Sequence, residues 1–294
     1  MSKYGFIRFL KGLWRLVDVP GWQKWFGAAV LGFVFVLPSG LSIYQFQGIL
    51  VGVSLVFCFN QSINDCFDVE IDKKKEEVMG KRLIVSSIMP RWLALSITVT
   101  ILFAGLASTL LASVNLFFTV LLMALLGTIY SVPPLRFKQQ YPFSTLVQFV
   151  GCFLPFLAGV TTLSMLTPHA LLISSLFSFL AMTYRFEHEI ENYSVDLMTN
   201  KKTVAVVHGR ITARRLSKLC LFVGLAEFAL FFALGWFSRV FLLMFILYIF
   251  VCIIHSKWLR YLPRYLRTVI LPVLTVGGVF LFFLAFLIHP MIIV

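Results

Sequence analysis

The sequence predicts an all-α integral membrane protein of nine transmembrane helices. Three observations predict it. Of 294 residues, 60% are hydrophobic and only 13% charged, with a mean hydropathy of +0.94; a soluble domain of this size needs more polar surface than that. The apolar residues are gathered into long runs, and a spanning helix needs about 20 mostly apolar residues. The charges between the runs alternate in a way that only a fixed membrane topology explains.

Taken in order, the apolar cores are Trp25–Tyr44, Ile49–Ile63, Leu93–Leu111, Leu116–Tyr130, Leu146–Leu163, Leu171–Met182, Leu219–Phe237, Val240–Ile254 and Val269–Ile288. Some are short and need flanking residues to span. With the N-terminal side labelled inside, nine spans place every one of the 25 Lys and Arg residues inside except Arg239. The positive-inside rule accounts for that bias, so the net charge of +13 does not call for nucleic acid as a partner. Ahead of the first core, residues 1–20 mix Lys3, Arg8, Lys11 and Arg15 with Phe6, Ile7, Leu10, Leu13 and Trp14. This is the pattern of a basic amphipathic helix lying on the membrane surface rather than a cleavable signal. The remainder reads as one transmembrane domain, so residues 1–294 form a single unit. Cys58, Cys66, Cys152, Cys220 and Cys252 lack CxxC spacing and read as small buried hydrophobes.

The outside loops are short: Pro38–Gln47, Ala112–Asn115, Thr167–His169 and Ser238–Arg239. The inside loops are longer and polar: Cys66–Pro90, Val132–Pro142, Glu187–Thr212 and His255–Arg267. The inside is therefore the working face. Acidic clusters follow the second and the sixth spans, which suggests two related four-helix halves plus a final helix.

All 12 Asp and Glu residues except Asp18 and Glu227 lie in those two clusters. The first holds Asn64, Asp65, Asp68, Glu70 and Asp72, with Glu76 and Glu77 behind it. Asn64, Asp68 and Asp72 are spaced i, i+4, i+8, which on a continuous helix is one face. The second holds Glu187, Glu189, Glu191, Asn192 and Asp196, with Glu189, Asn192 and Asp196 spaced i, i+3, i+7. Carboxylates this dense at a membrane edge are costly unless a cation neutralises them. Hard oxygen donors suit Mg²⁺, which commonly bridges carboxylates to substrate phosphates. Lys81, Arg82, Arg136, Lys138, Lys201 and Lys202 supply the basic half of a diphosphate clamp. The plainer alternative is that the acids are solvated loop charges paired with nearby Lys. No P-loop, GxGxxG, nucleophile elbow or HExxH motif occurs.

Asn64–Asp72 reads NDxxDxxxD and resembles the first signature of the UbiA superfamily of intramembrane prenyltransferases. Tyr130-Ser131-Val132-Pro133-Pro134-Leu135-Arg136-Phe137-Lys138 resembles that family's YSxPPxRxK element. The second cluster resembles its DxxDxxxD signature, followed by Thr203 and Gly209 at the family's spacing, and Lys81–Ser86 is similar to a worn Arg-Pro-Leu-x-Ser segment. By motif the resemblance runs from about Trp14 to Gly209, and by helix count through the rest. Glu189 and Asn192 stand where Asp is usual, Asn200 where Gly is common, and no proline follows Arg82.

The resemblance implies nine helices around a central cavity and Mg²⁺-dependent transfer of a prenyl group from a polyprenyl diphosphate to a lipophilic acceptor: aromatic, quinone-precursor or lipid. It implies Asn64, Asp68 and Asp72 as ligands of one metal, and Glu189, Asn192 and Asp196 as ligands of a second. Lys81, Arg82, Tyr130, Ser131, Arg136, Lys138 and Lys202 then bind substrate, and Asp65, Asp68 and Tyr130 are the catalytic candidates, Asp65 as base or acceptor guide. Membrane lipids are the surroundings, and the inner membrane, with the acidic motifs cytoplasmic, is the expected site. Two other readings stay open at this point: a terpene cyclase or prenyl-diphosphate lyase using the same ionisation without an acceptor, and an ion-coupled transporter. Against the transporter, the acids sit at helix ends rather than at the midplane.

Overall fold

The computed structural model describes residues 16, 19–36, 43–70, 89–239, 241–243, 245–246 and 249. The expected surface helix over residues 1–20, Asp72, Glu76, Glu77, Lys81, Arg82, Cys252 and the ninth core lie outside the described residues, except for Leu16 and the start of the first helix. So does most of the eighth core. All regular structure among the described residues is helical.

Helix α1 is Val19–Phe35. The next rod comprises α2, Ile43–Gln47, a π-helical stretch, Gly48–Val53, and α3, Ser54–Phe67, continuous in backbone angle through both junctions. The expected first core, Trp25–Tyr44, is thus divided: α1 ends at Phe35, and Tyr44 belongs to the second rod. Between Phe35 and Tyr44 the sequence holds Pro38 and Gly40, residue types that favour helix ends. Helices α4, Arg91–Ala112, and α5, Val114–Ser131, are separated by one residue, Ser113. Its hydroxyl caps α5 by accepting from the Leu116 N–H and donates to the Thr161 carbonyl on the next helix, which satisfies groups that a helix start leaves open.

A polar loop carrying a one-turn 3₁₀ helix, Phe137–Gln139, leads to α6, Phe143–Leu163. Helix α7, Pro168–Glu191, is capped by Thr167 and has Pro at its start. It runs past the expected core, Leu171–Met182, into the second acidic cluster. Two short helices, α8 (Tyr193–Met198) and α9 (Val204–His208), precede α10, Arg210–Ala233. The expected seventh core continued to Phe237, but the chain turns at Gly235, whose φ of +70° suits glycine. Among the described residues, Gly48–Phe67, α4, α5, α6 and α10 are long and apolar enough to cross a membrane, and Trp25–Phe35 is a shorter apolar helix.

The core is aliphatic and aromatic, with Phe33, Phe156 and Phe241 fully buried. Trp25 stacks on Phe57, joining α1 to α3, and Phe237 stacks on Phe241. Lipid tails are as apolar as these side chains, so close backbone approach has to contribute much of the helix association. Two glycines provide it between α1 and α6. A Cβ on Gly32 falls 1.9 Å from the Phe156 carbonyl oxygen, and one on Gly159 falls 1.9 Å from that of Ala29. Both obstacles are backbone and cannot swing aside. Gly159→Val is therefore expected to separate the two helices and to lower stability by at least about 1–3 kcal/mol, the usual range for overpacking. Thermal unfolding of the detergent-solubilised protein checks this; an unchanged midpoint would show that the crossing is not tight.

Candidate diphosphate and metal site

Helix α3 ends at Phe67, and Asp68 caps it with φ −99° and ψ 5° while its N–H bonds the Asn64 carbonyl at 3.0 Å. The uninterrupted helix expected through Asn64, Asp68 and Asp72 is therefore broken at Asp68. The second cluster behaves alike. Helix α7 ends at Glu191, and Asn192 takes φ −94° and ψ 12° with its N–H 3.0 Å from the His188 carbonyl. In place of one straight helical face, each cluster has a turn at its middle residue. Short polar side chains at both breaks favour this, because they bond local backbone in competition with the helix.

The loop between the fourth and fifth expected spans folds back on the first cluster. Lys138, 5% exposed, donates to Asn64 Oδ1 at 2.7 Å and to Asp68 Oδ1 at 2.5 Å. Arg136 Nη2 donates to the same Asp68 oxygen and to the Phe67 carbonyl, both at 2.9 Å. Ser131 Oγ donates to Asn64 Oδ1 at 3.2 Å. Arg136 sits at φ +40°, a left-handed conformation uncommon for a residue with a side chain. That turn brings Arg136 and Lys138 to one carboxylate. Burial raises the Asp68 carboxyl, but Lys138 and Arg136 outweigh it and hold it below the ordinary range. Burial pushes the Lys138 ammonium down to about 8, against the pull of Asp68.

In the second cluster, Glu189 is fully buried. Its Oε1 accepts from Arg185 Nε at 2.8 Å and its Oε2 from the Val204 N–H at 3.0 Å, so it holds the start of α9 against α7. Asn192 donates to the His188 carbonyl at 2.8 Å and touches the His188 ring. Asp196 Oδ1 pairs with Lys201 Nζ at 3.4 Å, while Oδ2 is buried without a hydrogen-bond partner. Lys202 is exposed, and its backbone N–H bonds the Gln139 carbonyl at 3.1 Å. Asn200 has φ +53°, which explains why glycine suits this position and why Asn, tolerant of that region, can replace it.

Two bridges bring the clusters together. Lys201, bound to Asp196, lies close enough to Lys138 to disfavour its charge. Deeper in, Tyr130 of α5 lies beside the Arg185 guanidinium of α7. Asn64, Asp68, Ser131, Arg136 and Lys138 thus form one contiguous group, with Tyr130, Arg185, Glu189, Asp196 and Lys201 facing it. Asp65 is half-buried next to this group, in the electrostatic surroundings of Cys66. Arg185 was not singled out from the sequence; its i, i+4 spacing to Glu189 is the signal that points to it. Asn60, one turn deeper than Asn64, was not singled out either. It is packed against Gly127, and its Oδ1 is buried without a partner.

The donors are hard oxygens of the kind Mg²⁺ prefers, and Asp196 Oδ2 is a buried acceptor with no hydrogen-bond partner. By donor chemistry the residues present fit the ion. Among the described residues no three Asp, Glu, His or Cys side chains converge on a metal-sized point; Asn64 and Asn192 occupy two of the motif positions.

Residues 25–287 match the UbiA prenyltransferase family, and the chain belongs to that family of membrane-embedded transferases. Among its relatives is digeranylgeranylglyceryl phosphate synthase of Saccharolobus solfataricus, 27% identical over 242 residues, covering 81% of this chain and 83% of the relative. The structure is similar to a UbiA homologue from Archaeoglobus fulgidus bound to GPP and Mg²⁺, with a TM-score of 0.72 and 19% identity over 91% of this chain and 96% of that one. The same homologue bound to DMAPP and Mg²⁺ gives a TM-score of 0.71 at 20% identity, again over 91% and 96% of the two chains. A digeranylgeranylglyceryl phosphate synthase structure gives 0.62 at 17% identity over 92% and 96%.

Asp68 is the group that keeps Lys138 charged. In Asp68→Asn, burial acts on the lysine with less opposition, so its amine is expected to titrate below about 8. The pH dependence of amine labelling at Lys138, read by mass spectrometry, measures this. An unchanged or raised midpoint would break the assigned pairing.

Proposed function

We propose that the protein transfers a prenyl group from a polyprenyl diphosphate to a lipophilic acceptor within the membrane, using Mg²⁺. The observation that carries this reading is the seating of Arg136 and Lys138, two cations from one loop, on Asn64 and Asp68. A diphosphate needs cations and a metal-binding carboxylate at one point, and this group combines them in a buried setting where charge-assisted bonds are strong. Asn64, Asp68 and Asp72 would hold one Mg²⁺. Glu189, Asn192 and Asp196 would hold a second, with Asp196 Oδ2 the donor already open and Glu189 and Asn192 needing to release their present partners. Bound there, the ion supplies neutralisation of the charge that grows on the departing diphosphate.

The protein's own groups do the rest. Lys81, Arg82, Arg136, Lys138 and Lys202 donate to the diphosphate oxygens, with Ser131 holding Asn64 in place. The allylic C–O bond breaks with its electron pair passing to the diphosphate, and the acceptor's nucleophilic atom bonds the prenyl carbon. Tyr130, beside Arg185, meets the diphosphate or the developing cation in this reading. Asp65 takes the acceptor's proton or orients the acceptor. The acceptor we favour is a lipid with a glycerol-phosphate head, which the relative from Saccharolobus solfataricus supports by its name. Nine transmembrane helices would enclose the cavity in one domain, residues 1–20 would lie on the inside surface, and that surface would be the cytoplasmic face of the inner membrane.

The test is incubation of the purified protein with Mg²⁺, labelled prenyl diphosphates and an extracted lipid pool. Asp68→Ala is expected to lower diphosphate release by about 100-fold or more, the scale on which single charge-stabilising groups act. Release that survives the substitution would sink the assignment. Efficient conversion of prenyl diphosphate without any acceptor would indicate a cyclase or lyase, and failure to bind any prenyl diphosphate would favour a transporter.

A further inference from the structure

Between Asp196 and Glu227 the chain has no acidic residue, yet it carries Lys201, Lys202, Arg210, Arg214, Arg215 and Lys218. The last four fall on the first turns of α10, and all four are exposed. None of them forms an ion pair with any described residue; Arg210 lies over the Tyr193 ring at 5.0 Å. The opposite face of α10 packs on α7 through Ala213, Ser217 and Gly224, with the Ser217 hydroxyl bonded to the Thr183 carbonyl at 3.1 Å. Arg214, Arg215 and Lys218 stand at exposed positions away from that contact, whereas Arg210 turns onto Tyr193. They share their face with exposed Ile211, Leu219 and Phe222, at 73, 54 and 70% exposure. Beyond Lys218 that face becomes wholly apolar, with Leu221, Phe222 and Leu225 exposed.

Helix length decides where this face sits. The apolar stretch from Leu219 to the end of α10 at Ala233 rises about 22 Å at 1.5 Å per residue. The hydrocarbon layer is about 30 Å thick. About five more residues must enter the layer for the span to fill it; Leu234, Trp236 and Phe237 supply part of that length beyond one end, and Lys218 with the turn before it supplies the rest at the other. Arg214, Arg215 and Lys218 then have their stems in hydrocarbon, and their charged ends reach back to the level of the lipid phosphates. Isolated cations in that position are costly, whereas paired with anionic headgroups they are favourable.

We infer that the cationic face at the start of α10 is a binding site for anionic phospholipid headgroups of the inside leaflet. Arg214, Arg215 and Lys218 hold the phosphate, and Leu219 and Phe222 pack along the acyl chains. The site faces the lipid, on the side of α10 opposite its contact with α7, and does not depend on the transfer reaction.

The experiment is native mass spectrometry of the full chain, titrated with phosphatidylglycerol or phosphatidylcholine, for the wild type and an Arg214→Gln/Arg215→Gln/Lys218→Gln variant. The wild type is expected to prefer phosphatidylglycerol, and the variant to lose affinity for it on the order of 100-fold, from the usual contribution of three basic residues at an anionic surface. Equal affinity of the wild type for both lipids would overturn the inference, as would a preference unchanged in the variant. So would displacement of the lipid by inorganic diphosphate at matching concentration, which would mark a site for free phosphate. Should the triple variant fail to fold, Arg215→Gln alone and the wild type carry the test. A smaller but measurable loss is expected in the single variant, and a wild-type preference that persists undiminished in 1 M salt, where the screening length is about 3 Å, would overturn the inference.

Discussion

Lys138 is the pivot of the polar end of the helices. A lysine this buried is costly unless its charge is matched, and it is matched by Asn64 and Asp68 at the end of one span. That contact fixes the loop that carries it, and the loop in turn meets the second cluster through the Gln139 carbonyl and the Lys202 N–H. Three parts of the chain far apart in sequence are therefore held in register by one ammonium group and its neighbours. Removing the carboxylate would strand a buried cation, and removing the cation would leave Asp68 with only Arg136 to offset its desolvation. The same economy applies to Arg185 and Glu189, which anchor α9 to α7 from inside the fold.

The two clusters share a backbone design more closely than they share residues. Asp68 and Asn192 occupy the same conformation, and each donates its N–H four residues back, to Asn64 and His188. Asn64 thus corresponds to His188, and Asp72 to Asp196. The chemistry at equivalent places has diverged. The first cluster keeps its carboxylate at the break and binds cations there, whereas the second has an amide at the break and binds its own backbone. The buried acid of the second cluster, Glu189, has been enlisted for structure, bound to Arg185 and to the Val204 N–H.

Much of this was legible in the sequence. The helical class followed from hydropathy, and the gathering of Asp68, Arg136 and Lys138 followed from motif spacing and the shared inside face. The errors have physical causes. Trp25–Tyr44 read as one core because hydropathy averages over the end of α1 at Phe35, where the sequence stays apolar through Val36 and Leu37. The straight faces assumed for both clusters ignored the tendency of Asp and Asn to end helices. The present partners of Glu189 were half legible: Arg185 stands one turn away at i, i+4, but nothing local shows that the chain returns at Val204 to donate its N–H. Side-chain partners formed across a return of the chain depend on tertiary placement, which a local pattern does not contain.

The crossing of α1 and α6 has a bearing on traffic. With Gly32 against the Phe156 carbonyl and Gly159 against that of Ala29, the two backbones touch and leave no seam between them. A long-chain substrate entering sideways from the bilayer, or a lipid product leaving by that route, needs a gap as wide as a hydrocarbon chain. At the level of Gly32 and Gly159 the α1–α6 contact is thus closed, and a hydrocarbon chain would pass there only if the two backbones parted.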